Sequence, residues 1–222
     1  MMSAIVFCVL AQDEAVKNAL RMAADLTSYE ARVALTFEGR RDKALETVFQ
    51  GGFSQEDGLF LYGKQRNREM GVYRKGGKTA MIDSSGKWTA AGGDSYGMAR
   101  NLPTPHEELR GLEKKLKQLK QVDSEKRGGK SCDTYTAELT DEGARSFLPF
   151  RAGGYGGIKA AGDVKLWIDS ETGALVEYAI FLEIDGQSPL RSILLKKTHA
   201  VALKTLNPAT LKVPESARQA LE

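Results

Sequence analysis

Apolar and polar residues alternate in two neighbouring segments between residues 164 and 184, and a short polar stretch separates the segments. Successive side chains of a β-strand point to opposite faces, so the pattern predicts a long β-hairpin. Its first strand places Val164, Leu166 and Ile168 on one face. The return strand adds an apolar row to that face, formed by Val176, Tyr178, Ile180, Leu182 and Ile184. The opposite face is mostly polar, so the apolar face needs a cover of helices, a ligand or both.

Further strands are predicted along the whole chain from alternation and from turn residues. They cover residues 27–38, 44–53, 58–62, 71–74, 78–83, 87–90, 131–139 and 191–203. Helical spacing of apolar residues predicts an amphipathic helix over 13–26, a short helix capped by Thr140 and a short helix at the end of the chain. Strands and helices do not alternate regularly, so an antiparallel sheet is expected rather than a parallel one.

Residues 104 to 124 have the pattern of a well-capped helix. Thr104 is followed by Pro105 and then by Glu107, a capping box in which the threonine side chain can satisfy a free backbone amide. Four leucines follow at helical spacing, namely Leu109, Leu112, Leu116 and Leu119. We therefore expect one helix over 105–124, whose leucine stripe packs on the apolar row of the hairpin and whose lysines face solvent.

The start of the chain resembles a shortened signal peptide, because an apolar run over residues 4–11 stops abruptly at Gln12. The expected organisation is a signal-peptide remnant at 1–11 and one domain over 12–222, in the periplasm or secreted. The run is too short to span a bilayer. After cleavage Cys132 would be the one cysteine left, and it could form no internal disulfide. With two histidines in the chain, we expect neither a metal site nor a cofactor.

A G-x-S-x-G motif centred on Ser95 matches the nucleophile elbow of serine hydrolases, and His199 could complete a triad. That elbow requires a strand-to-helix turn in a parallel sheet, and residues 98–103 do not continue as a useful helix. The motif therefore fits a glycine-rich loop better. His106 is expected to be an exposed first-turn residue and His199 a strand residue. The net charge of +3 is too small to indicate a nucleic-acid partner.

The hairpin from Trp167 to Tyr178 has the form W-I-D-x-x-T-G-x-x-V-x-Y, and Val213 begins a V-P-E-x-A segment. Together with the order of elements, these segments resemble the bacterial lipoprotein-carrier superfamily, which includes LolA/LolB-like and mycobacterial LppX/LprG-like envelope proteins. The resemblance implies an α+β fold: a strongly curved antiparallel half-barrel, covered on its concave face by α-helices. It also implies an apolar cavity for acyl chains and no catalysis. The lid arginine of the family has no clear counterpart, and no functional loop of a carrier matches 105–124.

The expected function is that of a non-enzymatic envelope protein, which binds a lipid or the acyl chain of a lipoprotein and has no transmembrane span. The expected cavity lining is Val164, Leu166, Ile168, Val176, Tyr178, Ile180 and Leu182 from the hairpin, with Leu109, Leu112, Leu116 and Leu119 from the helix. The expected gate is the loop Gly153, Gly154, Tyr155, Gly156 and Gly157. Two alternatives stay open: an interaction or sensor module with a core filled by its own side chains, and a serine hydrolase based on Ser95.

Overall fold

One large antiparallel sheet dominates the structure, a computed structural model that describes residues 2–39, 44–92, 104–148, 159–188, 191–204 and 211–222. The strands within these ranges are β1 Ser28–Gly39, β2 Leu45–Ser54, β3 Gly58–Gln65, β4 Arg68–Lys75, β5 Lys78–Ile82, β6 Trp88–Ala90, β7 Lys120–Arg127, β8 Lys130–Glu138, β9 Lys159–Asp169, β10 Leu175–Ser188 and β11 Arg191–Lys204. Their order in the sheet is β6-β5-β4-β3-β2-β1-β11-β10-β9-β8-β7. The sheet is open, since β6 and β7 form its two edges.

The helices are few and mostly short. They are α1 Met2–Ala24, α2 Pro105–Leu109, a 3₁₀ helix Leu112–Lys115, α3 Asp141–Ser146 and α4 Glu215–Gln219. The predicted apolar stripe of α1 is confirmed, because Val16, Ala19, Leu20 and Ala23 are all buried. The helix is longer than expected and extends back to Met2. None of the described helices combines the length and the apolar character that a membrane crossing needs.

The long hairpin is confirmed as β9 and β10, which pair from Ile168 opposite Leu175 to Lys159 opposite Asp185. The side chains of Tyr178, Ile180, Leu182 and Ile184 are at most 3% exposed, as expected for an apolar row under a cover. We call the sheet face that carries this row the buried face, and the opposite one the outer face. Buried residues of α1, α2, α3 and the 3₁₀ helix belong to the same hydrophobic cluster as this row.

The prediction that Val176 lies on the buried face is wrong. The register of the hairpin shifts between Leu175 and Glu177, so a β-bulge lies at Val176. A bulge adds one residue to one strand and changes the face to which the following side chains point. Leu175 therefore joins the cluster of the buried face, while Val176 packs with Trp167 on the outer face.

The outer face of the hairpin is less polar than expected. Trp167 and Ala179 are buried there and form a small second cluster with Cys132. The indole N–H of Trp167 donates to Oε1 of Glu125 on β7 at 2.6 Å, and Lys165 donates to the same oxygen at 3.1 Å. These donors hold the pKa of the Glu125 carboxyl below its usual value. The contacts fasten the edge strand β7 to the hairpin.

The prediction of a single helix over 105–124 is also wrong. Helix α2 ends at Leu109, because Arg110 is extended and Gly111 takes a left-handed conformation with φ 77°. A 3₁₀ helix follows, Leu116 then pairs with Leu139 in an isolated bridge, and β7 begins at Lys120. Strand β7 was not predicted, since its almost entirely polar sequence shows no alternation.

The two threonine caps differ. Thr140 caps α3 as predicted, because its Oγ1 accepts from the backbone N–H of Gly143 at 3.0 Å. At α2 the Thr104 side chain makes no bond to a backbone amide and is hydrogen-bonded instead to the carboxylate of Glu107. The capping box therefore correctly predicted where α2 begins, but not the role of its threonine side chain.

Candidate functional site

The candidate site is the apolar layer between the buried face and the helices. Of the expected lining residues, the following are buried in the main hydrophobic cluster: Val164, Leu166, Ile168, Tyr178, Ile180, Leu182, Leu109 and Leu112. Leu116 and Leu119 are partly buried and pack against the margin of that cluster. Val176 lies on the outer face, away from this layer.

Helix α1 supplies a large part of the cover, which sequence reasoning did not assign to the site. Val16 and Leu20 are fully buried in the main cluster, and α1 contacts β10, α2 and the 3₁₀ helix. Its stripe at positions 16, 19, 20 and 23 was visible in the sequence, but nothing in that pattern names the surface on which a helix packs. The site is thus covered by α1 and by several short segments rather than by one leucine-rich helix.

A hydrogen bond joins the buried face to α2. Tyr178 on β10 is fully buried, and its hydroxyl donates to Oε2 of Glu108 at 2.7 Å. Burial raises the pKa of the Tyr178 hydroxyl well above its usual value, and the Glu108 carboxylate adds to that effect. At neutral pH the hydroxyl is therefore protonated and can donate to the carboxylate.

A second polar contact reaches α2 from β1. The Tyr29 hydroxyl is 2.9 Å from Nδ1 of His106, and the imidazole stacks on Phe53 with 4.0 Å between ring centroids. The expectation that His106 is exposed is therefore wrong. Burial lowers the pKa of His106, and burial also raises the pKa of Tyr29. Tyr29 and His106 are 77 positions apart, so no local sequence pattern could have revealed the contact.

The polar side chains described in this layer are bonded to each other, and the groups around them are apolar. Within the described ranges no three His, Cys, Asp or Glu side chains gather as a metal site requires. Residue 95 and the expected gate at 153–157 lie outside the described residues. His199 is a strand residue as predicted, paired through its backbone with Leu35 and Ile180.

A cleft of about 340 Å³ lies at the end of the sheet, between the β4–β5 turn and α4. Most of its lining residues are charged, namely Lys75, Lys78, Arg218 and Glu222, and the others are Tyr73 and Leu221. Lys78 donates to the backbone carbonyl of Leu221 at 2.6 Å, and Arg218 forms an ion pair with Asp57 at 3.1 Å. These contacts attach α4 to the sheet, and the charged lining does not suit an acyl chain.

Two solved structures share this architecture. The lipoprotein LppX from Mycobacterium tuberculosis is 15% identical, and the match covers 90% of this chain and 97% of that one, with a TM-score of 0.54. LprF from Mycobacterium bovis is 12% identical over 91% of this chain and 96% of that one, with a TM-score of 0.52. In sequence, neither a protein-family model nor a curated protein matches. The resemblance to LppX-like proteins is therefore confirmed, and at these identities it concerns the fold.

Proposed function

We propose that this chain is a lipid-binding protein of the cell envelope, and that an acyl chain lies between the buried face and its helical cover. The observation that carries the proposal is the continuous apolar row of β10, which faces α1 and several short segments. The fold shared with the lipoprotein LppX supports the same function. We further propose that the sheet curves into a half-barrel with the helices on its concave face.

The short covering segments suit a layer that has to admit a ligand. Helix α2 has five residues, the 3₁₀ helix four and α3 six. Segments of this length bury little apolar surface each, so moving one of them aside costs less than moving α1. An acyl chain of about sixteen carbons gains roughly 12 kcal/mol from complete burial, at about 0.8 kcal/mol per methylene group, which can offset such a displacement.

The proposed ligand follows from the apolar character of the layer. An apolar layer without a catalytic group suits a lipid or the acyl group of a modified protein, and it needs no cofactor. We propose that residues 1–11 direct export, that residues 12–222 form one domain, and that the glycine-rich loop at 153–157 acts as a gate. Replacing Gly154 by proline should then slow lipid loading more than it changes stability.

A second candidate is an interaction module whose core is filled by its own side chains. The complete burial of Leu112, Tyr178 and Ile180 favours it, because side chains shielded from solvent on every side are typical of a packed core. In that case the apolar row would serve stability alone, and no lipid would bind.

Lipid extraction and binding distinguish the two candidates. We expect mass spectrometry of organic extracts from the purified protein to detect bound lipid, and a dansyl-labelled fatty acid to bind with a saturable fluorescence change. Ile180→Trp should block that binding because the indole fills the buried face. Phe181→Trp is the matched control, since Phe181 is the next residue and is 41% exposed on the outer face. If the wild type carries and binds no lipid, the self-filled module replaces the carrier. If both variants bind the fatty acid as well as the wild type does, the buried face is not the binding site.

A further inference from the structure

His106 attaches α2 to the sheet through an ionisable ring. The residue lies in the first turn of α2, and its imidazole reaches Tyr29 on β1 and stacks on Phe53 of β2. The other attachments of α2 are its buried Pro105 and Leu109, the hydrogen bond between Glu108 and Tyr178, and its packing on α1. Among the side chains that hold α2 on β1 and β2, His106 is the one that can gain a proton near neutral pH.

The hydrogen bonds around Tyr29 favour a neutral ring. The Tyr29 oxygen accepts from the backbone N–H of His106 at 3.4 Å, and its own hydrogen can be donated to a neutral Nδ1 at 2.9 Å. A protonated Nδ1 is a donor, so the ring and the amide would then both point hydrogens at the Tyr29 oxygen. The Tyr29 hydrogen would lose Nδ1 as its acceptor in a place that is 3% exposed. Leaving a buried donor without a partner is costly.

Burial and the charges around the ring together hold the pKa of His106 below its usual value. Burial is the largest cause of the lowered pKa of His106. Glu107 on α2 favours the imidazolium, whereas Arg110 on α2 and Arg74 on β4 oppose it. Glu108, the other carboxylate of α2, is bonded to the Tyr178 hydroxyl.

We propose that α2 is a pH-dependent cover of the buried face, released from Tyr29 and Phe53 when His106 takes up a proton. The device concerns the movement of α2 and operates with or without a bound ligand. Protonation favours the form in which the ring is in water, and this is the form with α2 away from the sheet. The rest of the sheet keeps its pairing, since it contains no such contact with His106.

The difference in the pKa of His106 between the two forms sets the direction of the pH dependence. We call the form with α2 on the sheet closed and the form with α2 away from it open. The ring has a lowered pKa in the closed form and one near 6.5 in water, so the closed form is favoured above pH 6.5 and loses that advantage as the pH falls. If the closed form takes up no proton, the open population grows about tenfold between pH 7.5 and 5.5.

Native-state hydrogen exchange of the full chain tests this inference. After correction for intrinsic exchange, we expect the amides of 104–110 to open up to about tenfold more at pH 5.5 than at pH 7.5, with the amides of β9 and β10 unchanged. His106→Gln keeps an acceptor without titrating, and its α2 should open equally at both pH values. His199→Gln removes the other histidine of the chain and should keep the dependence of the wild type.

Three results would overturn the inference: a wild type whose α2 shows no pH dependence, an equal dependence in His106→Gln, or an equal loss of protection over the whole sheet. If His106→Gln leaves α2 unprotected at both pH values, His106→Phe takes its place, because a phenyl ring preserves the stack on Phe53 and cannot titrate. A dependence that persists in that variant would likewise refute the role of His106.

Discussion

Replacing Ile180 by alanine tests how tightly the buried face is packed. Ile180 is fully buried in the middle of β10, paired with Val164 on β9 and His199 on β11. The change removes three methyl or methylene groups, worth about 2.4 kcal/mol at 0.8 kcal/mol each. The cavity left behind adds to this loss, so the total lies at about 2 to 5 kcal/mol. A domain of ordinary stability, about 5 to 15 kcal/mol, remains folded after such a loss.

Urea denaturation followed by circular dichroism gives the free energy of unfolding of both variants. Phe181→Ala is the control, since Phe181 is the next residue of β10 but points outward and is 41% exposed. Its cost should stay below about 1 kcal/mol, as for most surface positions. If Ile180→Ala costs no more than Phe181→Ala, then Ile180 lines open space and the argument for a filled layer fails.

The other predictions concern caps and polar contacts. Thr140→Ala removes the hydroxyl that caps α3 and should cost about 1 kcal/mol in thermal denaturation. Tyr178→Phe takes a donor from the Glu108 carboxylate and should destabilise by about 1 to 3 kcal/mol in urea. The hydrogen bond from Lys130 is the largest cause that lowers the pKa of Asp169, so the carboxylate stabilises the fold above pH 3.8, and this stability is lost as the pH falls. Asp169→Asn should therefore weaken the dependence of stability on pH below 4, measured by urea denaturation at a series of pH values.

The hairpin could be predicted because its signal is long and local. Alternation in two segments between residues 164 and 184 defines both strands, and a shift by one residue would turn the whole row outward. Neighbouring residues also define the turn, since Asp169 accepts from the backbone N–H of Glu171 and from the hydroxyl of Thr172. Local chemistry of this kind needs no knowledge of the rest of the chain.

The bulge at Val176 could not be predicted in the same way. Leu175 and Val176 are both apolar, so either residue can fill a place on the buried face. The choice depends on the outer face, where Val176 packs with Trp167 in the second cluster. That cluster includes Cys132 of β8, and β8 is brought to the hairpin by strand pairing rather than by any nearby sequence signal.

The leucine stripe was misleading because the same spacing occurs in a chain that changes conformation three times. Leu109 ends α2, Leu112 begins the 3₁₀ helix and Leu116 forms a bridge. All three still face the core. Their spacing therefore predicted correctly that they would be buried, but it did not predict the backbone conformation. Gly111 was the available signal, since glycine with a positive φ commonly ends a helix.

Breaking that helix into short pieces changes what holds the cover on the sheet. A helix of four turns would be held by its apolar area, whose contribution depends little on pH. The short α2 buries Pro105 and Leu109, and hydrogen bonds from Tyr29 and Tyr178 supply specific attachments. Such bonds depend on protonation and geometry, so conditions that alter His106 act on the cover and leave the paired strands unchanged. The polar contacts that sequence reasoning missed are therefore the ones that allow this part of the fold to respond to its surroundings.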